Sequence, residues 1–501
     1  MSLNLVTSTL SQLPATVRRP RYDRRSLQPG IVHIGVGGFF RAHQAVYADD
    51  LLERGGDPQW AYCGVGLLPA DARMRDAMRR QDCLYTVVER DGADSRARVI
   101  GSMVDYLFAP DNPGRVIETL ASPDTKIISL TITEGGYHIN QRTGGFDVDH
   151  PDVQFDLANP GRPRGVFGFL AESLHRRMLE HGHPVTLMSC DNIQGNGALL
   201  KRHLTAFAER RDPRLAAWIE SHCAFPNSMV DRITPGTNDG DRAMVRNDLG
   251  IDDQWPVMTE SFTQWVLEDH FIAGRPAWEK CGVQFTHDVA AYEKIKLRIL
   301  NGSHQALCYI GILLGHTFVH EATNDPEIRW LVQLMLQREV IPSLKPMPGM
   351  ELDAYQTRVL ERFANPAIRD PLFRISTYGT SGIPQFLLPS IEEQLKRGSV
   401  TWLSFVIASW FRCLAGQDDH GREIHSPDPG APALKEIARR ARQDPDAVFS
   451  GHDLFEPRLS QSETFRTSVR QALQSFYQFG AKETLRRYLM SAEDPATGAH
   501  P

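Results

Sequence analysis

The sequence has no long apolar run. Its longest apolar stretches, near residues 308–314 and 403–410, are well short of the roughly 18–20 residues that a membrane span requires. The N-terminus shows no pattern of a secretory signal, and the seven cysteines are odd in number and scattered, unlike a disulfide framework. We therefore expect a cytoplasmic protein with reduced thiols and no membrane partner.

The sequence also lacks an excess of basic residues and the common metal and nucleophile motifs. The net charge of −6 argues against nonspecific binding of nucleic acid. The 18 histidines form no His-Glu-x-x-His motif, and the close pairs at 181/183 and 316/320 have no matching carboxylate spacing. No Gly-x-Ser-x-Gly elbow occurs. We expect no metal site, no nucleic-acid partner and no serine hydrolase chemistry.

The order of apolar patterns predicts two domains. A chain of 501 residues has ample material for more than one core. Up to about residue 286, strand-like apolar runs alternate with helical patterns, as an α/β fold with a parallel sheet requires. We predict a Rossmann-type dinucleotide-binding domain over 1–286 and a mainly α-helical domain over 287–501. The longer predicted helices of the second domain are 289–314, 326–340, 352–363, 391–396, 401–414 and 464–489. A monomer and a small homo-oligomer stay equally open.

A glycine-rich segment follows the strand-like residues 31–34. It reads Gly35-Val36-Gly37-Gly38-Phe39-Phe40-Arg41-Ala42-His43 and precedes an amphipathic stretch. A strand, a glycine turn and a helix are the setting in which backbone N–H groups bind a pyrophosphate. Phe40 replaces the third glycine of the fingerprint, so an ordinary turn is an alternative, and Arg41 could face phosphate or solvent. The predicted cofactor residues here are Gly35, Gly37, Gly38, Phe39 and Arg41.

Polar residues follow the other strand-like runs of the first domain. The run 60–66 is followed by Asp71, and the run 126–132 by Thr133 and Glu134. The ends of parallel strands are where an open α/β sheet binds its ligands, and an acidic residue after the second strand commonly holds the ribose of NAD. We assign these three residues to the cofactor site and expect NAD rather than NADP. A helix N-cap is an equal alternative for Asp71.

The residues 296–304 read Lys-Leu-Arg-Ile-Leu-Asn-Gly-Ser-His. On a helix turning about 100° per residue, Lys296, Asn301 and His304 fall within an arc of roughly 140°. Alcohol oxidation without a metal needs an amine to take the hydroxyl proton, with polar groups to hold the oxygen as charge develops. The alternative is a surface lysine, an Asn-Gly kink and a structural histidine.

Several motifs in one order extend these patterns over most of the chain. They are residues 35–43, Thr-Ile-Thr-Glu-Gly-Gly-Tyr at 131–137, Ser-Cys-Asp-Asn at 189–192, Phe-Pro-Asn-Ser-Met-Val-Asp-Arg-Ile-Thr-Pro at 225–235, Trp-Val-Leu-Glu-Asp at 265–269, the Lys-x4-Asn-x2-His element at 296–304 and Phe-Val-His-Glu at 318–321. Together they resemble the mannitol dehydrogenase family, the polyol-specific long-chain dehydrogenases and reductases. The resemblance implies NAD-dependent oxidation of mannitol or a similar polyol to the 2-ketose, and the reverse reduction, without zinc.

The resemblance also implies a role for each matching catalytic residue. Lys296 matches the family's general base in alcohol oxidation, which is the general acid in ketone reduction. Asn192 and Asn301 match two asparagines that form an oxyanion hole around the reacting oxygen. His304 matches a histidine that hydrogen-bonds and positions the substrate.

Three further residues match substrate-binding positions of the family. Asp231 and Arg374 match contacts to the polyol hydroxyls, although without the family they would pass for a surface ion-pairing acid and base. Glu293 matches a glutamate that exchanges protons with solvent near the catalytic lysine.

One segment departs from the family pattern. Mannitol-type members usually read Asp-Gly-Ser-x-Lys shortly after the arginine, whereas this chain has Tyr378 and Gly382 at the acidic and basic positions. A buried substrate hydroxyl that loses its hydrogen-bond partner makes the binding free energy less favourable by on the order of 1–3 kcal/mol. The preference between two substrates then changes by roughly tenfold or more. D-arabinitol and sorbitol oxidation, reduction of a uronate (fructuronate or tagaturonate), and a catalytically silent relative that binds dinucleotide or sugar are the alternatives.

Overall fold

The computed structural model describes residues 2–92, 94–140, 144–345, 347 and 350–493. The chain divides into two compact units, Met1–Tyr292 and Glu293–Pro501. The division falls inside the helical segment that contains Lys296, just after the boundary of 286/287 predicted from the sequence.

A six-stranded sheet forms the centre of the N-terminal unit. We number its strands β1 to β6 in chain order: Ile31–Ile34, Tyr62–Gly66, Met103–Phe108, Ile127–Leu130, Val185–Ser189 and Cys223–Ala224. All five neighbouring pairs are parallel and the spatial order is β6-β5-β4-β1-β2-β3. This is the strand order of the Rossmann fold, in which ligands bind at the carboxyl ends of β1 and β4, where the order reverses.

The central strands are apolar because helices cover both faces of the sheet. Along β1, Ile31 packs into a cluster on one face, while Val32 and Ile34 pack into a separate cluster on the other. The alternation is that of a strand with two buried faces. The strands predicted at 60–66 and 126–132 both form, each slightly shorter than predicted.

Three smaller sheets flank the central one. A four-stranded sheet has the order Val257–Glu260, Tyr85–Asp91, Asp94–Ile100 and Val17–Arg18. A three-stranded sheet has the order Ser228–Asp231, Gln264–Glu268 and Gln284–Thr286, and Leu3–Asn4 pairs with Ile251–Asp252. The α-helices of this unit are Gly38–Ala42, Gln44–Glu53, Ala72–Arg80, Pro113–Ala121, Pro151–Ala158, Val166–Glu180, Asn196–Arg211, Pro213–His222 and Asp239–Asp248.

The C-terminal unit is helical, and no β-strand occurs among its described residues. The predicted helix at 289–314 forms as one continuous segment of Val289–Ile295, the π-helix Lys296–Asn301 and Gly302–Leu313. The other helices are Val319–Asn324, Pro326–Met335 continued by the π-helix Leu336–Val340, Leu352–Phe363, Leu372–Ser376, Gly379–Phe386, Leu388–Gln394, Thr401–Leu414, Ala431–Arg440, Pro457–Ser460, Glu463–Phe479 and Ala481–Glu493. No helix in the described part of the chain is long and apolar enough to cross a membrane.

The predicted single helix at 464–489 is wrong in one respect. It is broken at Gly480, which has φ 79°. This left-handed conformation suits glycine and interrupts the helical hydrogen bonds. The backbone N–H of Ala481 then donates to the Asp419 side chain, so a side chain distant in sequence caps the new helix.

A buried glutamate makes the stability of the C-terminal unit depend on pH. Glu339 is 2% exposed, and its carboxyl oxygens accept from the N–H groups of Trp402 (3.0 Å) and Leu403 (2.8 Å). Burial raises the pKa of Glu339 to about 7, although the backbone donors act in the opposite direction. The folded carboxyl therefore binds its proton more tightly than the unfolded one.

We predict that this group's stabilising contribution is complete below about pH 4.5 and is lost as pH rises through 7. The loss amounts to about 3 kcal/mol in the free energy of unfolding. Denaturant titrations at several pH values, followed by tryptophan fluorescence, measure it as the difference between the wild type and Glu339→Gln, which cannot ionise. Identical pH dependence in both proteins would show that Glu339 does not titrate in this range.

Candidate functional site

The glycine turn after β1 leaves its backbone accessible. Gly35 has φ 95°, and a Cβ there would lie 2.0 Å from the Thr131 carbonyl oxygen, so only glycine fits. Gly37 is exposed, and a Cβ there would meet nothing closer than 4.0 Å. Gly38 begins the next helix with a similarly open side, its nearest neighbour being Thr234 at 3.6 Å. The predicted turn therefore forms, with open space beside the two glycines that begin the helix.

Phe40, which replaces the third glycine, points into the core. It is fully buried and stacks on His33 with ring centroids 3.7 Å apart. His33 bonds Ser129 Oγ at 2.8 Å and Thr131 Oγ1 at 2.9 Å. Burial lowers the pKa of His33 to about 3, so the imidazole is neutral. This histidine connects β1 to β4 beneath the turn. It was not predicted from the sequence, where it is the single polar residue of an apolar strand.

Arg41 does not face solvent, which excludes one of its two predicted environments; the contact with phosphate stays a prediction. Its side chain is 1% exposed and donates from Nε to the Gly37 carbonyl (3.2 Å) and from Nη1 to the Trp255 carbonyl. Burial lowers the pKa of Arg41 to about 10. The guanidinium is thus not solvated, and it supports the turn from the protein interior. Phe39 is half-buried beside it and stacks on His43 with centroids 4.9 Å apart.

Asp71 lies at the end of β2, as predicted. Its Oδ2 accepts from the Leu68 N–H at 2.9 Å, and a Cβ built on Gly66 would lie 2.9 Å from the Asp71 Cβ. The carboxylate therefore closes the short turn after β2 and lies against the last residue of the strand. Asp71 directly precedes the helix Ala72–Arg80, but its side chain makes no N-cap hydrogen bond to that helix.

The loop after β4 is strained and held by the loop after β5. Thr133 has φ 60°, which is rare for a β-branched residue and is typical of functional loops. Asp191 accepts from the N–H groups of Ile132 (3.2 Å) and Thr133 (2.8 Å) and from the Tyr137 hydroxyl (2.7 Å). Burial and the charge of Asp191 raise the pKa of Glu134. Asp191 therefore fixes the backbone at Thr133, and it directly precedes Asn192, which is exposed.

A buried amide fixes the position of Asn192 relative to Asp231. Asn196 donates from Nδ2 to the carbonyls of Asp191 and Ser228, both at 2.9 Å, and accepts from the Ser228 N–H at 3.0 Å. Ser228 begins the strand that ends at Asp231, which is 4% exposed. Asp191 and Asn196 were not predicted as functional; their signal was two polar residues close after an apolar strand.

In the C-terminal unit, two of the catalytic candidates, Lys296 and Asn301, begin and end a π-helical segment. Lys296 is 6% exposed and Glu293, one turn earlier, is 4% exposed. The π-helix spans Lys296–Asn301; its i→i+5 hydrogen bonds bring residues five apart closer in rotation than an α-helix does. Lys296 and Asn301 are five residues apart, so the angle between them around the helix axis is smaller than the roughly 140° expected for an α-helix. The surface-lysine alternative is wrong because this amine is buried.

His304 lies in a positively charged environment. Its ring stacks on Phe363 with centroids 3.8 Å apart. Burial lowers the pKa of His304 well below its usual value, and the charges of Arg374, Arg362 and Lys296 lower it further. The imidazole is therefore neutral. His304 Nε2 and Asn301 Oδ1 are buried and have no hydrogen-bond partner among the described residues, so two polar atoms await a ligand here.

Arg374 is held by a carboxylate that sequence reasoning missed. Asp370 accepts from Arg374 Nε at 2.6 Å and from Nη2 at 2.5 Å. The Asp370 side chain is 3% exposed and that of Arg374 is 44% exposed. The bidentate pair fixes the guanidinium, and its other nitrogen remains available for a ligand. Arg362, also missed, is 8% exposed and contributes to the charge at His304.

The segment that departs from the family pattern is closely packed at one of its two positions. Gly382 is buried, and a Cβ there would lie 3.0 Å from the Phe386 ring and 3.1 Å from Gln305 Nε2. A longer side chain would require these neighbours to move. Tyr378, at the other position, is 46% exposed.

One histidine of each close pair has a ring nitrogen bonded to the protein itself. His181 contacts the Ala121 carbonyl at 2.9 Å, and His316 lies 3.3 Å from an Asp325 carboxylate oxygen. In the described ranges, no three His, Cys, Asp or Glu side chains form a set that could hold a metal ion.

The structure groups the predicted residues within each unit. In the N-terminal unit, the glycine turn follows β1, Thr133 follows β4 and Asn192 follows β5, and these three strands are neighbours in the sheet. Asn196 connects the loop after β5 to the strand that ends at Asp231. In the C-terminal unit, the charges of Lys296 and Arg374 act on His304.

Comparison with known proteins agrees with this geometry. Two family models match: the mannitol dehydrogenase Rossmann domain over residues 29–280 and the mannitol dehydrogenase C-terminal domain over residues 288–477. The mannitol 2-dehydrogenase of Aspergillus fumigatus is 47% identical over 498 residues, which cover 97% of this chain and 99% of that protein.

Solved structures give the same result. Pseudomonas fluorescens mannitol 2-dehydrogenase, in a ternary complex with NAD and D-mannitol, matches with a TM-score of 0.91 and 41% identity over 97% of this chain and 100% of that one. A D-sorbitol dehydrogenase in substrate-free form matches with a TM-score of 0.87 and 38% identity over 96% of this chain and 100% of that one. The predicted Rossmann-type domain and the family resemblance are thus confirmed. The chain belongs to the mannitol dehydrogenase family and is an oxidoreductase.

Proposed function

We propose that the protein oxidises mannitol or a closely similar polyol to the 2-ketose with NAD, and catalyses the reverse reduction. The observation that carries this proposal is the environment of His304. A buried lysine and two arginines surround a neutral imidazole, and two buried polar atoms lack partners. A hydroxyl group can both donate and accept a hydrogen bond, so a polyol can satisfy the Asn301 oxygen and the His304 nitrogen together.

Lys296 is the proposed general base. An amine takes a proton only in its neutral form, which burial favours over the ammonium. In the oxidation, Lys296 Nζ accepts the hydroxyl proton; in the reduction, it returns that proton to the carbonyl oxygen. Glu293 is the proposed group that exchanges this proton with solvent.

Asn192, Asn301 and His304 are the proposed groups that hold the reacting oxygen. Amide donors aimed at a developing alkoxide stabilise it more than they stabilise the alcohol, and each such donor typically lowers the barrier by about 3 kcal/mol. Arg374, fixed by Asp370, and Asp231 are the proposed contacts to the remaining hydroxyls of the chain.

NAD is the proposed cofactor, and it supplies the hydride acceptor of the oxidation. The residues proposed to bind it are those at the ends of β1, β2 and β4: Gly35, Gly37, Gly38, Phe39, Asp71, Thr133 and Glu134. An open backbone at Gly37 and Gly38 fits a pyrophosphate, and a carboxylate after β2 favours the ribose hydroxyls of NAD over the 2′-phosphate of NADP.

The substrate is tested by following NADH absorbance with a panel of polyols, with NAD and NADP in parallel. We expect turnover of D-mannitol with NAD, and a kcat/KM with NADP at least tenfold lower. Faster turnover of sorbitol or D-arabinitol than of D-mannitol would indicate that Gly382, at the position where the family usually has a lysine, changes the preferred substrate. NADH-dependent reduction of fructuronate or tagaturonate alone would overturn the polyol proposal in favour of a uronate reductase. Silence with every substrate would indicate a catalytically inactive relative.

A further inference from the structure

A second pocket lies in the C-terminal unit, apart from the residues around His304. Its volume is about 750 Å³, within the range of small-molecule sites. The helices Thr401–Leu414, Ala431–Arg440 and Glu463–Phe479 and the loop 415–425 supply its lining. None of the residues proposed for catalysis or for NAD binding lines it.

One wall of this pocket carries three cations. Lys435 and Arg439 are one helical turn apart, and Arg442 follows three residues later; all three line the pocket and are exposed. None of them has an ion pair or a side-chain hydrogen bond within the portion of the chain that the structure describes. Other arginines of this unit, such as the half-buried Arg466 and Arg470, instead pair with a carboxylate.

The acidic residues of the pocket do not neutralise this wall, because each is already bonded elsewhere. Asp418 binds Arg422 at 2.6 Å, and Glu423 lies 3.2 Å from His425. Asp419 pairs with Arg412 at 3.1 Å and also accepts from a backbone N–H. The pocket therefore has an excess of positive charge.

A buried arginine gives an independent indication of a built site. Arg412 lines the pocket, is 8% exposed and lies over the Tyr477 ring at 5.3 Å. Its Nη atoms bond to Gln417 and Asp419, whereas its buried Nε has no partner among the described residues. Tyr477 adds an aromatic wall beside the cations. An anion is the ligand that such a site favours.

We propose that this pocket binds a small phosphorylated molecule, whose phosphate groups contact Lys435, Arg439 and Arg442. Three cations along about two helical turns fit two linked phosphates or one phosphate carried by a larger body better than a single carboxylate. The protein has a net charge of −6, so most of its surface repels anions. An anionic ligand is therefore expected to bind at this cluster of unpaired cations rather than elsewhere on the surface.

Isothermal titration with pyrophosphate, AMP and glucose 6-phosphate tests the proposal. The full-length protein is saturated with NADH, so that the dinucleotide site does not contribute. We expect at least one of the three probes to bind at submillimolar concentration and more weakly at higher salt. Equal affinity for all three probes would show that the pocket recognises only the phosphate group. Tighter binding of AMP would show that Tyr477 also contacts the rest of the ligand.

The matched variants lie on the helix Ala431–Arg440 and in the turn directly after it. The double substitution Arg439→Ala/Arg442→Ala is expected to weaken binding at least tenfold. Arg440→Ala removes another exposed arginine, which does not line the pocket, and it is expected to change affinity less than twofold. Thermal melts verify that all variants fold. No binding of any probe at 5 mM, or equal losses in the two variants, would overturn the proposal.

Discussion

Replacement of Lys296 by alanine is expected to lower kcat for polyol oxidation by about 10²–10⁴-fold, the usual contribution of a general base. The affinity for NAD is expected to change little, because the proposed cofactor residues lie in a different part of the chain. Stopped-flow or steady-state NADH formation gives kcat, and quenching of tryptophan fluorescence by NAD gives the dissociation constant.

The matched control is Lys294→Ala. Lys294 lies two residues earlier on the same helix, but it pairs with Glu393 at 3.1 Å and its side chain is 35% exposed. This variant is expected to keep kcat within about twofold, since an exposed salt bridge contributes at most about 1 kcal/mol. Partial rescue of the Lys296→Ala variant by added primary amines would support the base role. Undiminished turnover in that variant would refute it.

Replacement of Asn301 by leucine is the second change with a large expected effect. Loss of one oxyanion donor typically lowers kcat by about 10²–10³-fold. Leucine has a similar size and cannot hydrogen-bond, so the loss would fall mainly on kcat, with a smaller change in KM. Steady-state kinetics with the best polyol of the panel, at saturating NAD, measure both constants.

Ser303→Ala is the control for Asn301. Ser303 lies between Asn301 and His304 in sequence, is fully buried, and its hydroxyl has no partner in the described structure. Removing an unsatisfied hydroxyl is neutral or slightly stabilising. We expect wild-type kcat from this variant. A loss of the same size in Ser303→Ala would show that the helix tolerates no change, and the Asn301 result would then carry no information on the oxyanion hole.

The sheet of the N-terminal unit was predictable because its strands are continuous apolar runs bounded by polar or glycine residues. β1, β2, β4 and β5 follow this rule, and the glycine turn after β1 was located at the correct residues. The environment of Arg41 was not predictable, because a charged residue next to a turn is usually solvated. Its burial depends on carbonyl groups at Gly37 and Trp255, and the second of these is far away in sequence.

The long helices of the C-terminal unit were also predictable from their period, and 352–363 and 401–414 match the structure at both ends. The π-helical turn at Lys296–Asn301 was not predictable, because a change of winding over one turn does not alter the spacing of apolar residues in the sequence. Asp370 was missed because its role depends on Arg374, one helical turn away, and on burial that a single sequence does not reveal.

In the proposed mechanism a lysine, and not a metal ion, activates the alcohol for hydride transfer to NAD. The most direct test is the rate of NADH formation from D-mannitol and NAD after dialysis against EDTA and in its continued presence. We expect an unchanged rate and fructose as the product. A rate that falls to background in EDTA and returns on addition of Zn²⁺ would contradict this mechanism.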